Sequence, residues 1–241
     1  MRNSEITTFF ATQHVKIVGN PVLREPQRDG YHRIKDHFSG SSEPGYIQLP
    51  VGCGKTELMG LAPFGITKGR VLIVVPNLTI RTMVLRELDI SDPNCFYNKR
   101  GVFLPTTGPY LSELKTGANL HDCDAAHMVV ANIQQFAGAN NRWYEKFPRD
   151  YFEMILLDEG HHNVAATWQR LLEYFEGAMV VSFTATPMRS NGQQVMGKRL
   201  YAFSYTRSMM IGFIAPLEAV FVRPEDVTFT AQGETRTLRL D

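Results

Sequence analysis

Lys55, Thr56, Asp158 and Glu159 are the residue types that phosphate chemistry requires, and each stands in a run that would position it. The stretch Leu49-Pro50-Val51-Gly52-Cys53-Gly54-Lys55-Thr56 follows a strand-like run over Tyr46 to Leu49. It leads into Glu57 to Ala62, which reads as the start of a helix. Strand, glycine-rich turn, Lys-Thr and helix make the layout of a phosphate-binding loop. Gly52 and Gly54 let the backbone turn tightly, so that successive N–H groups approach one anion, and the helix start adds partial positive charge. Pro50, Val51, Gly52, Cys53, Gly54, Lys55 and Thr56 would surround a nucleotide's phosphates. Lys55 would reach the β- and γ-phosphates and the Thr56 hydroxyl would ligate Mg²⁺. The general pattern has glycine at its first position, where this chain has Leu49.

A second signal lies a hundred residues on. The apolar run Phe152 to Leu157 ends in Asp158-Glu159-Gly160-His161-His162. An acid at a strand's carboxyl end can hold Mg²⁺ through water, and the acid beside it can polarise an attacking water; these are the roles of Asp158 and Glu159. A third run, Ala178 to Phe183, delivers Thr184-Ala185-Thr186-Pro187, whose hydroxyls would sense the γ-phosphate through the 158–161 loop. Upstream, Pro26-Gln27 opens a helix, and a glutamine amide both donates and accepts, as reading an adenine edge requires.

The elements that must position these groups are legible as periodicity. Val71 to Val75 and His127 to Asn132 are short, unbroken apolar runs, as in strands buried on both faces. Leu78 to Leu88 has helical spacing with Arg81, Arg86 and Glu87 on its polar side, and Asn163 to Phe175 is similar. Residues 133–136 and 207–213 predict short helices, the latter closing at Gly212. Residues 140–150 predict a surface helix and turn. Ile17-Val18 predicts a short strand broken at Gly19, and residues 91–127 are loop-rich with short strand candidates. Residues 217–222 predict a strand, and 227–230 with 235–238 predict a hairpin about Gly233. The implied fold is α/β: a mostly parallel sheet with helices on both faces.

Composition narrows the class. Hydrophobic residues make up 44% and charged residues 20%, with a net charge of +1, so no global basic footprint points to nucleic acid. Three widely spaced cysteines argue against a disulfide framework or a zinc site and fit a reducing, cytoplasmic compartment. No run approaches the ~18 apolar residues of a membrane span, and the amino terminus lacks a signal peptide's apolar core.

Taken in order, the motifs resemble the first motor domain of superfamily 2 helicases and translocases. Leu49-Pro50 fits that family's variant of the phosphate loop. Pro26-Gln27 resembles its adenine-reading glutamine. Val74-Val75-Pro76-Asn77, with Arg81 nearby, and Val130-Ala131-Asn132 resemble its two nucleic-acid backbone contacts. Asp158-Glu159-Gly160-His161 is similar to the DExH box, and Ser182 to Pro187 resembles the motif coupling hydrolysis to movement. The wording of the last two is most similar to motor subunits of type I and type III restriction systems and related phage-defence helicases.

The resemblance implies a RecA-like domain over residues 1–215, followed by an extension or linker over 216–241. It implies ATP and Mg²⁺ as cofactors and Lys55, Asp158, Glu159 and His161 as catalytic residues. Thr56 and Asp158 hold the metal, and Ser182, Thr184 and Thr186 perform coupling. Pro76, Asn77, Arg81 and Asn132 contact nucleic acid, DNA sooner than RNA, and Arg189 is a further candidate. A second RecA-like domain, elsewhere in a longer chain, would supply an arginine finger, and without it turnover is weak. The rival class is a nucleotide-binding scaffold that acts on protein partners.

Overall fold

A computed structural model describes residues 8–103, 108–115, 119–137, 143–159, 166–187, 195–215, 226–231 and 234–239. After a short helix α1 (Phe9–Thr12), the chain runs through α2 (Glu25–Phe38), β1 (Gly45–Gln48), α3 (Lys55–Leu61), β2 (Arg70–Val75), α4 (Leu78–Leu88) and α5 (Phe96–Lys99). It continues with β3 (Leu111–Glu113), α6 (Leu120–Asp124), β4 (Met128–Asn132), β5 (Phe152–Asp158), α7 (Ala166–Tyr174), β6 (Met179–Thr184), β7 (Lys198–Ala202) and α8 (Tyr205–Met210). Strands β1 to β7 form a single sheet in the order β3-β4-β2-β5-β6-β1-β7, and every neighbouring pair is parallel. A separate antiparallel hairpin pairs β8 (Asp226–Ala231) with β9 (Glu234–Arg239), as predicted.

The unbroken apolar runs follow from a sheet covered on both faces. Side chains alternate along each strand, so neighbours enter different cores. Val71, Ile73 and Val75 of β2 face one core with Leu58, Val84 and Tyr97; Leu72 and Val74 face the other with Trp168, Leu171 and Phe175. Met154 and Leu156 of β5 go with the first group, Ile155 and Leu157 with the second.

Register then sets which residues share one end of the sheet. Gln48 lies opposite Thr184, Asp158 opposite Phe183, and Val75 opposite Asn132. Because all the strands are parallel, the phosphate loop, the acid pair and the Thr184 turn all emerge at the same carboxyl edge.

Some expectations change. Ile17-Val18 forms no strand: Ile17 is buried, Val18 is 72% exposed, and the chain turns at Gly19 with φ of 71°. Within 140–150, the described residues 143–150 form a short 3-10 helix, Trp143–Lys146, and then a turn at 149–150, as expected, but Tyr144 and Phe147 enter the core, so it is not a purely surface element. The segment 91–127 holds α5 and α6 beside β3. The predicted strand at 217–222 lies outside the described residues. The edge strand β7 was not expected; its Lys-Arg start and exposed face give no apolar run to read.

β7 joins the sheet through Gly197. Lys198 N donates to Pro44 O at 2.8 Å, and Gly197 sits at φ of 96° against that same carbonyl. A Cβ there collides with Pro44 main chain, which has no flexible end to yield. Gly197→Ala is therefore expected to lower unfolding free energy by about 2–4 kcal/mol, from left-handed strain plus a backbone clash, read as a drop in denaturation midpoint. A wild-type midpoint would show that β7 does not dock in this way.

His127 supplies a pH-dependent element. Its ring stacks on Phe9 at 3.9 Å between centroids and faces Tyr110 at 5.5 Å, and its Nδ1 accepts from Tyr110 N at 2.9 Å. Burial, aided by the Arg70 charge, pushes the imidazole down to about 4. The unfolded chain, with a histidine near 6.5, binds a proton in the window between these values that the folded chain refuses. Stability is full above about 6.5 and falls as pH drops towards 4. Melting temperatures across that window should decline in the wild type, with a shallower slope in His127→Phe.

Candidate nucleotide site

The phosphate loop spans the gap between β1 and α3. Gly52 and Gly54 hold φ of 84° and 86°, the left-handed values the turn requires. At Gly54 a side chain is barred twice over, since a Cβ would also collide with the Glu57 carboxylate and press on the Gln27 amide. Cys53 is fully buried, and burial pushes its thiol pKa up, with Ser208 of α8 and the Arg24 charge working against that shift. Cys53 thus fills space in the loop's floor. Among the described residues all three cysteines are free and buried.

Lys55 Nζ donates to Glu159 Oε1 in a partly buried ion pair, the lysine 12% and the carboxylate 22% exposed. The loop lysine and the second acid of the Asp-Glu pair thus meet across the carboxyl ends of β1 and β5. Glu159 reaches this place from a left-handed backbone, φ 54°, which is costly for any residue with a Cβ. Asp158, at the end of β5, is 6% exposed, and its Oδ1 has no hydrogen-bond partner among the described residues. Burial raises its pKa, and the Lys55 charge works against that shift. A desolvated carboxylate suits a cation, and the Thr56 hydroxyl, on the wall of the cavity beside the loop, is likewise an oxygen donor of the kind Mg²⁺ takes; Asp158 itself is not part of that wall. His161 and Arg189 lie outside the described residues.

Of the residues expected to couple hydrolysis to movement, Thr184 is tied to the loop's root. Leu49 N donates to Thr184 O at 2.9 Å, and Thr184 Oγ1 accepts from Thr186 N at 3.1 Å. Ser182 and Thr184 are buried; Thr186 is exposed.

The cavity beside the loop measures about 540 Å³, within the range of small-ligand sites. Its wall includes Arg24, Lys55, Thr56, Glu57, Asn94 and Lys99. A larger hollow of about 1060 Å³ lies at the sheet's other end around Lys68, Arg70, Tyr151 and Glu153, away from the loop.

Gln27 stands behind the cavity wall. It is fully buried; its Oε1 accepts from Arg24 N at 2.8 Å and its Nε2 donates to Glu57 Oε2. Arg24 and Glu57 are the residues that the sequence reading missed. Arg24 caps α2, donates from Nη1 to Gly52 O at 3.0 Å, and lies 5.1 Å over the Phe213 ring. Burial raises the Glu57 pKa, while Arg24 and Arg100 pull it down. The available signals were an arginine three positions before Gln27 and an acid directly after Lys-Thr.

The four residues expected at nucleic acid gather at the carboxyl ends of β2 and β4. Asn77 caps α4, its Oδ1 accepting from Ile80 N at 2.9 Å. Pro76 O accepts from Gln134 Nε2 at 2.7 Å. Arg81 pairs with Glu113, and its side chain is 13% exposed. Asn132 is buried, and its Oδ1 has no partner among the described residues. A hollow of about 470 Å³ joins Arg81 and Asn132 to Lys115 and Gln134.

A parallel sheet of this order, with the phosphate loop after β1 and the acid pair after β5, defines the RecA-like amino-terminal motor domain of superfamily 2 helicases, restriction-enzyme-like branch. The chain belongs to the family of the type III restriction enzyme res subunit, which matches residues 20–189. It is 29% identical over 124 residues to the type I restriction enzyme EcoAI endonuclease subunit of Escherichia coli, covering 49% of this chain and 15% of that one. The fold is similar to that of the type ISP restriction-modification enzyme LlaGI, solved with a DNA substrate mimic, at a TM-score of 0.54 and 18% identity, over 79% of this chain and 18% of that chain. The ATP-dependent type ISP enzyme LlaBIII, solved bound to DNA, gives 0.52 and 16% identity, over 79% and 16%. The chain thus spans less than a fifth of the length of each of these relatives. Among the described residues, no helix is long and apolar enough to cross a membrane.

Proposed function

We propose that this chain is the ATP-binding half of a nucleic-acid-dependent motor, which hydrolyses ATP with Mg²⁺ to move along DNA. The observation that carries this reading is the convergence of Lys55, Glu159 and the buried Asp158 carboxylate at one edge of the sheet. Mg²⁺ supplies charge neutralisation on the phosphates when bound. The Gly52–Thr56 amides and Lys55 bind phosphate. Thr56 and Asp158 hold the metal, and Glu159 orients water and takes up its proton. His161, Ser182, Thr184 and Thr186 pass the phosphate state on.

In the resting site Lys55 is engaged by Glu159. Incoming phosphate competes for the lysine, and its release frees Glu159 for water. The DNA face is the hollow at β2 and β4, with Pro76, Asn77, Arg81 and Asn132. DNA is favoured over RNA because the similar LlaGI and LlaBIII structures hold DNA or a mimic of it. Residues 1–215 form the motor half, and 216–241 lead towards a second RecA-like domain bearing an arginine finger. Such a residue is worth ~10³–10⁵ in rate, so this chain alone turns ATP over slowly. Three free cysteines suit a reducing cytoplasm.

The test is Mg-ATP turnover by the full-length protein with and without DNA. Stimulation by DNA that weakens steeply with salt supports the reading. Turnover unmoved by any nucleic acid overturns it in favour of a motor or scaffold acting on protein.

A further inference from the structure

The hollow at the carboxyl ends of β2 and β4 holds an arginine that is already engaged. We propose that Glu113 is a latch on Arg81: its carboxylate occupies the guanidinium as a stand-in for a backbone phosphate, and a nucleic-acid strand must displace it. This rests on reading that hollow as the DNA face. Carboxylate and phosphate address the same fork of guanidinium N–H groups, so one excludes the other. Glu113 ends the edge strand β3, Arg81 lies on α4, and the two side chains pair on the wall of the hollow. Arg81 Nη1 stands 3.5 Å from Leu114 O, so the guanidinium leans on the end of β3. Its Nε is buried with no partner among the described residues, which leaves a donor for a further acceptor.

The end of β3 is itself held. Leu114 N donates to Val130 O at 2.9 Å, Asn119 Nδ2 donates to Glu113 O at 3.0 Å, and Gln135 Nε2 donates to Leu114 O. The carboxylate therefore stands on fixed main chain. Exposure decides which partner yields. Arg81 is 13% exposed and Glu113 31%, so the glutamate turns out to water at the lower cost and the arginine stays. Lys115, exposed on the same hollow, keeps a positive charge for the first encounter. A strand drawn in by Lys115 alone leaves the pair closed; a phosphate seated in the hollow opens it. Glu113 thus makes the Arg81 contact conditional on close seating of the backbone.

The experiment measures binding of a labelled DNA oligonucleotide to the full-length protein over a range of salt concentrations, for wild type, Glu113→Gln, Arg81→Gln and the double variant. Glu113→Gln is expected to bind about 10-fold tighter, because phosphate no longer has to break an ion pair. The slope of its log affinity against log salt should steepen by about 0.7–0.9, the share of one extra uncompensated cation. Arg81→Gln should bind more weakly. In that background Glu113→Gln should gain no more than about threefold, the remaining repulsion between carboxylate and phosphate. Melting curves show which variants are folded. Glu113→Asp draws the carboxylate back by one methylene and should give part of the same gain, so it tests the latch if the amide variant does not fold. Unchanged or weaker affinity in Glu113→Gln overturns the latch, while weaker binding by Arg81→Gln leaves the DNA face standing. An equal gain with and without Arg81 overturns it too, since Glu113 would then act only as a distant negative charge. If Arg81→Gln binds DNA as the wild type does, the DNA face itself falls, and the latch with it.

Discussion

Lys55→Ala is expected to weaken Mg-ATP binding by about 10²–10³-fold, beyond saturation in an ordinary titration. Two effects add. The variant loses the cation that meets the β- and γ-phosphates, a charge-assisted contact of about 1.5–3 kcal/mol. It also leaves Glu159 without its partner, beside the buried Asp158, so the phosphates approach two carboxylates and no ammonium. Lys55 is also the main charge opposing the rise of the Asp158 pKa, so Asp158 should take up a proton more readily in the variant. The check is calorimetric titration of wild type and variant. Wild-type affinity in Lys55→Ala would mean that phosphate does not sit at this loop.

Glu159→Gln should separate binding from chemistry. The amide is close to isosteric and cannot take a proton from water, so turnover by the full-length protein is expected to fall by about 10²–10⁴-fold. Binding should be equal to wild type or tighter, because the resting ion pair that competes for Lys55 is gone. Single-turnover hydrolysis beside a binding titration reads both quantities. A variant that loses affinity and rate together would show Glu159 to be a binding group rather than the base.

These effects concern residues that were legible in the sequence, and the reason is local. Lys55 and Thr56 follow two glycines whose left-handed φ values only that residue type adopts without strain. Asp158 and Glu159 end a run that both cores bury. The strands β2, β4, β5 and β6 were readable because burial on two faces leaves few polar positions inside them, Glu153 of β5 and Ser182 of β6 being the interior ones. The edge strand β7 has one exposed flank and held no such signal. Ile17 misled for the opposite reason: one buried apolar residue without a strand partner looks like a strand beginning.

Side-chain pairings between distant segments were not legible at all. Glu57 looks like a helix-start acid, and only its approach to Gln27, 30 positions away, brings the two into one cluster. Arg81 looks like a free cation on a polar helix face, and Glu113 of β3 meets it there. A sequence shows which groups exist at a site; the fold decides which of them are already spoken for.

The hydrogen bond from Leu49 N to Thr184 O joins two parts of the proposed motor. Thr184 is fully buried, sits in register with Gln48, and shares that bond with the root of the phosphate loop. The end of β6 and the base of the loop therefore travel as one body. Thr186 N in turn donates to Thr184 Oγ1 at 3.1 Å, so in the proposed motor Thr186 belongs to that body too, and its exposed side chain is the part of it that meets the surroundings.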